Sequence, residues 1–168
     1  MAGFQLWVNL PARHKMMQPR YQEIPSSRIP EVRRRNGSRI RVIAGTVDGV
    51  RGAVTDIVAD PTYLDVSLPP ASAFAQPVAR GHAAFAYVFD GEGFFGPDPG
   101  QRVAATMLAV FGDGDLALAR TSERPVRFLL VSGRPLGEPI ARYGPFVMTT
   151  WAEIDEALRD LRNGTFVR

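Results

Sequence analysis

Cysteine is absent from this chain and histidine occurs only at His14 and His82, which excludes disulfides, thiolate catalysis and cysteine-ligated zinc. Lysine is nearly missing too: among 20 basic residues only Lys15 is not arginine. No apolar run approaches the roughly 20 residues that span a bilayer. The opening stretch, Met1 to Pro11, lacks the basic start and cleavage pattern of a secretory signal, so a cytoplasmic protein with no membrane partner is expected. The glycines of Asp90-Gly91-Glu92-Gly93-Phe94-Phe95-Gly96 do not match Gly-x-Gly-x-x-Gly and no helix pattern opens behind them, which removes a phosphate cradle. The serines have no nucleophile-elbow context. The net charge of +3 is modest, and its densest cluster, Arg33-Arg34-Arg35 with Arg39 and Arg41, is accompanied by no helix-turn-helix, RNP or zinc-finger spacing. It reads as a solvated loop entering a strand through Asn36-Gly37, and no nucleic-acid partner is expected.

What remains is a soluble globular composition, 45% hydrophobic and 22% charged over 168 residues, enough for one ordinary core. The 16 glycines and 14 prolines favour many short strands joined by turns over a helical bundle. Phe4 to Leu10 alternates as a strand, with Phe4, Leu6, Val8 and Leu10 on one face and Gln5, Trp7 and Asn9 on the other. An arm rich in Pro, Ser and Arg follows over 12–35, with a short extended segment near Tyr21 to Ile24. Strands are then predicted at 39–45 and 63–68, with turns at Asp48-Gly49 and Asp60-Pro61. A hairpin is predicted across Asp90-Gly91-Glu92-Gly93, joining 83–89 to the next strand. Further strands are expected at 107–111, 116–119 and 125–131. One helix is clear: Thr150-Trp151-Ala152-Glu153 has capping-box spacing, Trp151, Ile154, Leu158 and Leu161 share a face, and Gly164 stands at the C-cap position. The pattern predicts an all-β barrel or sandwich of the jelly-roll type with one C-terminal α-helix.

Several runs carry a family likeness: Gly3-Phe4-Gln5-Leu6-Trp7-Val8-Asn9-Leu10-Pro11, Lys15-Met16, Pro19-Arg20-Tyr21-Gln22, Tyr63-Leu64-Asp65, Gly112-Asp113-Gly114-Asp115 and Gly144-Pro145-Phe146-Val147-Met148. Together they resemble the pirin family of two-domain cupins. The resemblance implies a cupin, a double-stranded β-helix or jelly-roll barrel, and it corresponds to the C-terminal cupin together with the strand that precedes it. The implied segments are an interdomain strand and arm over 1–35, a barrel over 36–148, and a helix and tail over 149–168. In the family the tryptophan-containing strand lies mid-chain, so its place here implies a truncated chain whose N-terminal cupin is missing. That missing domain is where the family binds iron, through three histidines and a glutamate. Members are assigned quercetin 2,3-dioxygenase activity or a role as transcriptional co-regulators.

The cupin metal motifs can be laid on this sequence directly. With Gly91 as the closing glycine of the first motif, its glutamate slot falls on Ala84 and its histidine slots on Val78 and Arg80, or on Pro77 and Ala79. With Gly112-Asp113-Gly114 as the turn of the second, its histidine slot falls on Ala117. These residues offer no set of metal ligands, so neither a metal site nor catalytic residues nor a cofactor is expected in this chain, and iron is expected only in the other domain.

Three functional readings follow. The chain is the second half of an iron-dependent quercetin 2,3-dioxygenase-type bicupin, inactive alone. Alternatively it is a non-catalytic, co-regulator-like interaction module that meets a protein partner, or itself, through the surface that would face a sister domain. Phe4, Trp7, Met16 and Met17 are the candidates for that surface. The third reading is a metal-free small-molecule binder using the barrel mouth near His82, Phe85 and Tyr87.

Overall fold

A computed structural model describes residues 3–167; Met1, Ala2 and Arg168, at the ends of the expected first and last segments, lie outside the described residues. The chain divides into two compact units, one formed by residues 23–135 and the other by 1–22 together with 136–168. These bounds differ from the expected segments 1–35, 36–148 and 149–168. Residues 23–35 group with the barrel, and 136–148 group with the helix.

The larger unit holds eleven strands: β1 (Glu31–Arg33), β2 (Arg39–Ala44), β3 (Thr46–Val47), β4 (Val50–Arg51), β5 (Thr62–Leu68), β6 (Ala73–Pro77), β7 (Ala83–Phe95), β8 (Gln101–Ala104), β9 (Leu108–Val110), β10 (Leu116–Arg120) and β11 (Val126–Gly133). Every pairing is antiparallel, and the main path runs β1-β2-β5-β11-β7-β10-β6, with β8 and β9 also on β7. Alternation fills the core as the period-2 rule requires. Ile40 and Val42, Leu64, Val66 and Leu68, Ala84, Ala86 and Val88, and Phe128 and Leu130 all turn inward. Phe128 packs edge-to-face against Phe74 and Phe95, with ring centroids 5.6 and 5.1 Å away. Asp48-Gly49 makes the β3–β4 turn, both residues at positive φ, as a tight two-residue hairpin demands.

The predicted hairpin at 90–93 does not form. β7 runs unbroken for 13 residues, pairing with β9 and β11 along its first half and with β8 and β10 along its second. Opposite Arg127/Phe128 the register with β11 shifts by one residue, and Gly91 sits at φ +71°. Here a glycine signal for a turn serves a bulge that bends one strand from one set of partners to another. Four short strands, β1, β3, β4 and β8, and the longer β6 carry too little pattern to be read beforehand.

The arginine run is not uniformly solvated. Arg33 pairs with Glu31 on β1, whereas the Arg34 guanidinium forks Asp48 at 2.9 and 3.1 Å, donates to the Ala75 carbonyl, and lies 5.4 Å from the Phe74 ring centroid.

In the second unit the expected strand over Phe4 to Leu10 is absent. The segment is irregular and followed by a 3-10 turn, Ala12–His14. A short segment with an alternating pattern needs a sheet edge to pair with, and within this unit none takes it up. The segment around Tyr21 to Ile24 likewise forms no strand. A hairpin of β12 (Ala141–Tyr143) and β13 (Phe146–Met148) leads into α1 (Trp151–Asn163). The helix has the predicted caps: the Thr150 hydroxyl accepts from the Glu153 N–H, the Glu153 carboxylate accepts from the Thr150 N–H, and Gly164 closes the helix at φ +71°. Its buried stripe is Ile154 and Ala157, with Leu158 partly covered, while Trp151 and Leu161 face outward. Among the described residues no helix is long and apolar enough to cross a membrane.

Candidate functional site

Three of the motif slots read from the sequence, Val78, Ala84 and Ala117, meet in space, whereas Pro77, Ala79 and Arg80 do not line the same cavity. Val78, just past β6, Ala84 at the start of β7 and Ala117 on β10 line one half-open cavity of about 120 Å³ at the end of the barrel. Phe111, Leu116 and the loop Gly112-Asp113-Gly114 complete its walls. Two backbone bonds fix this meeting: the Val78 N–H donates to the Asp115 carbonyl at 2.9 Å and the Phe111 N–H donates to the Ala84 carbonyl at 3.0 Å. The side chains of Val78, Ala84 and Ala117 present hydrocarbon to this cavity. Among the described residues no three His, Asp or Glu side chains stand close enough to hold a metal.

His82 lines this cavity, held by a turn in which its N–H donates to the Ala79 carbonyl at 3.0 Å. Phe85 and Tyr87 do not join it. They alternate with the buried Ala84, Ala86 and Val88, so they point to the opposite face of β7, beside Val110 and Leu108 of β9. Of the three barrel-mouth candidates, His82 therefore lines the cavity, while Phe85 and Tyr87 lie on the other face of β7. Gln76 shares its face of β6 with Phe74 and pairs with Ala117; it is buried, and its Oε1 accepts no hydrogen bond.

The acidic residues near the glycine turns are occupied by arginine. Glu92 pairs with Arg102 and lies 3.9 Å from Arg124, and Asp115 pairs with Arg80 at 3.1 Å. On the outer face of the sheet, the Arg127 fork holds Asp65 at 2.9 and 2.6 Å.

In the second unit, runs that lie more than a hundred residues apart in sequence meet. Trp7, Val8, Leu10 and Lys15 line one open cleft of about 430 Å³ with Arg142, Phe146, Met148 and Phe166. Of the four surface candidates, Trp7 lines this cleft and Met16 lines a separate cavity against α1, while Phe4 and Met17 line neither. All four are exposed, Trp7 at 68%. Among the described residues, twelve of the seventeen exposed large apolar side chains, Tyr21, Ile140, Tyr143 and Trp151 among them, belong to this unit, about a third of the chain.

Comparison with known proteins agrees with the geometry. The family described as the pirin C-terminal cupin domain matches residues 63–167. Pirin-1 of Arabidopsis thaliana is 42% identical over 96% of this chain and 56% of its own length, and human pirin is 38% identical over 96% and 56%. The chain thus spans about half the length of the curated relatives it matches. A quercetin 2,3-dioxygenase from Acinetobacter baumannii superposes with a TM-score of 0.85 at 34% identity, covering 95% of this chain and 55% of that one. Barrel topology, the closing hairpin and helix, and the family match over 63–167 lead to one conclusion: the chain belongs to the pirin family, as its C-terminal cupin.

Proposed function

We propose that this chain works as the second, metal-free cupin of a quercetin 2,3-dioxygenase-type bicupin, docking through its smaller unit on a first cupin that carries the iron. The observation that carries this reading is the crowd of exposed apolar side chains on residues 3–22 and 136–167. Patches beyond a few hundred Å² are uncommon on monomers and mark interaction surfaces. A first cupin is the occupant that the length argues for, because a relative of the same fold continues for nearly as many residues again. The hydrocarbon at Val78, Ala84 and Ala117 supports placing the iron in that partner domain. In this reading the chain's own residues shelter and orient the first domain, and none of them touches substrate.

The test supplies the first cupin of the Acinetobacter dioxygenase as a separate polypeptide. The chain alone is expected to retain substoichiometric iron and to turn over no quercetin; the mixture is expected to co-elute on size exclusion, and Trp7→Asp to weaken that complex. Stoichiometric iron and turnover by the chain alone would overturn the proposal. Self-association with no affinity for the first cupin would leave an interaction module in its place.

A further inference from the structure

The converged slots are not merely emptied of ligands; they enclose space. We propose that the barrel-end cavity of this chain is a binding site for a small neutral organic molecule, one ring in size, with an apolar body against Val78, Ala84, Phe111, Leu116 and Ala117 and a single hydroxyl-type group toward His82. The inference rests on the proposed function only in taking these positions as metal-free; it does not depend on docking.

The argument is one of volume and chemistry. Apolar cavities of about 150 Å³ stay dry and accept benzene, because water gains too few hydrogen bonds inside to offset leaving the bulk. The cavity here is about 120 Å³ and half-open, so a single ring enters with its polar end left near the mouth. Small side chains at three of the wall positions create the room: larger residues at Ala84 or Ala117 would fill it. The imidazole of His82 has no hydrogen-bond partner among the described residues and can donate or accept, while Asp113, which lines the same cavity, disfavours an anion. A neutral hydroxyl satisfies both conditions.

Phenol and benzene are the probes, titrated into the full chain carrying ¹³C-labelled methyl groups. Saturable shifts are expected at Val78, Ala84, Leu116 and Ala117, with Ile154 and Ala157 of α1 unmoved. Ala117→Leu is expected to weaken binding by about tenfold or more, the usual effect of a methylene-scale misfit in an apolar pocket. Ala84→Val provides a milder filling should the first variant fail to fold. His82→Phe should weaken phenol and leave benzene unchanged, which a purely structural role for the histidine would not produce. Absence of saturation, or binding undiminished in both filled variants, would overturn the site. Fe(II) added without oxygen gives the separating arm: paramagnetic broadening at these methyls would overturn this inference and the metal-free reading together, whereas failed phenol binding without broadening would overturn this inference alone.

Discussion

Gly91→Ala is the substitution on which the barrel should be least forgiving. An added Cβ would lie 2.0 Å from the Pro125 carbonyl oxygen, an atom of the backbone with no rotamer to retreat into. Relief requires β7 and the start of β11 to part by about 1 Å, enough to spoil a close-packed contact. That movement strains the bond from the Glu92 N–H to the Pro125 carbonyl, 3.2 Å long, and the bond from the Ala105 N–H to the Gly91 carbonyl, 2.9 Å long. Placing a side chain at φ +71° costs about 1–2 kcal/mol. One buried amide losing its acceptor adds about 1–3 kcal/mol. A loss of about 2–5 kcal/mol is expected, a large share of the 5–15 kcal/mol that holds an ordinary domain. Two controls separate the causes. Gly49→Ala has the same positive φ, +81°, but open space around it, and Gly133→Ala has neither obstacle. Urea unfolding followed by far-UV circular dichroism is the assay, because both tryptophans, Trp7 and Trp151, lie outside the barrel unit. The order of loss should be Gly91, then Gly49, then Gly133 near zero. If Gly91→Ala cost no more than Gly49→Ala, the close approach of β7 to Pro125 would not be what shapes the strand.

Three further outcomes are expected. Thr150→Ala removes the helix cap and should cost α1 about 1 kcal/mol, seen as faster amide exchange along the helix. The Glu153 carboxyl is held below its ordinary 4.5 by the Thr149 hydroxyl first and by the Thr150 and Thr149 N–H groups next. Its contribution is therefore complete above the ordinary value and drains away as the pH falls through the lower folded value, a loss that Glu153→Gln should largely remove. Arg34→Ala should destabilise the barrel by about 1–2 kcal/mol through its Asp48 fork and its stacking on Phe74, measured by the same urea titration, while Arg35→Ala should stay within about 0.5 kcal/mol.

Much of the barrel was legible in the chain because its signals are local. Ile40 and Val42, or Leu64, Val66 and Leu68, announce a half-buried strand by alternation alone, and Thr150, Glu153 and Gly164 announce a helix by spacing. Counting from Gly91 and from the Gly112-Asp113-Gly114 turn reached Val78, Ala84 and Ala117, but it reached Arg80, Pro77 and Ala79 as well and could not say which of them share a cavity. The continuity of β7 was not legible: Asp90-Gly91-Glu92-Gly93 has turn chemistry, and only pairing with β11 on one stretch and β10 on the next makes a bend of it. Nor was the fate of Phe4 to Leu10, whose alternation shows what the segment prefers and not whether a neighbouring strand exists to satisfy it. The sequence by itself determined the fold class, the inward faces and the helix caps, because these depend on residues a few positions apart. Tertiary structure alone decided that Val78, Ala84 and Ala117 close around one small cavity, that Phe85 and Tyr87 point away from it, and that exposed apolar side chains gather on one unit, since each follows from pairing across long separations that no local pattern encodes.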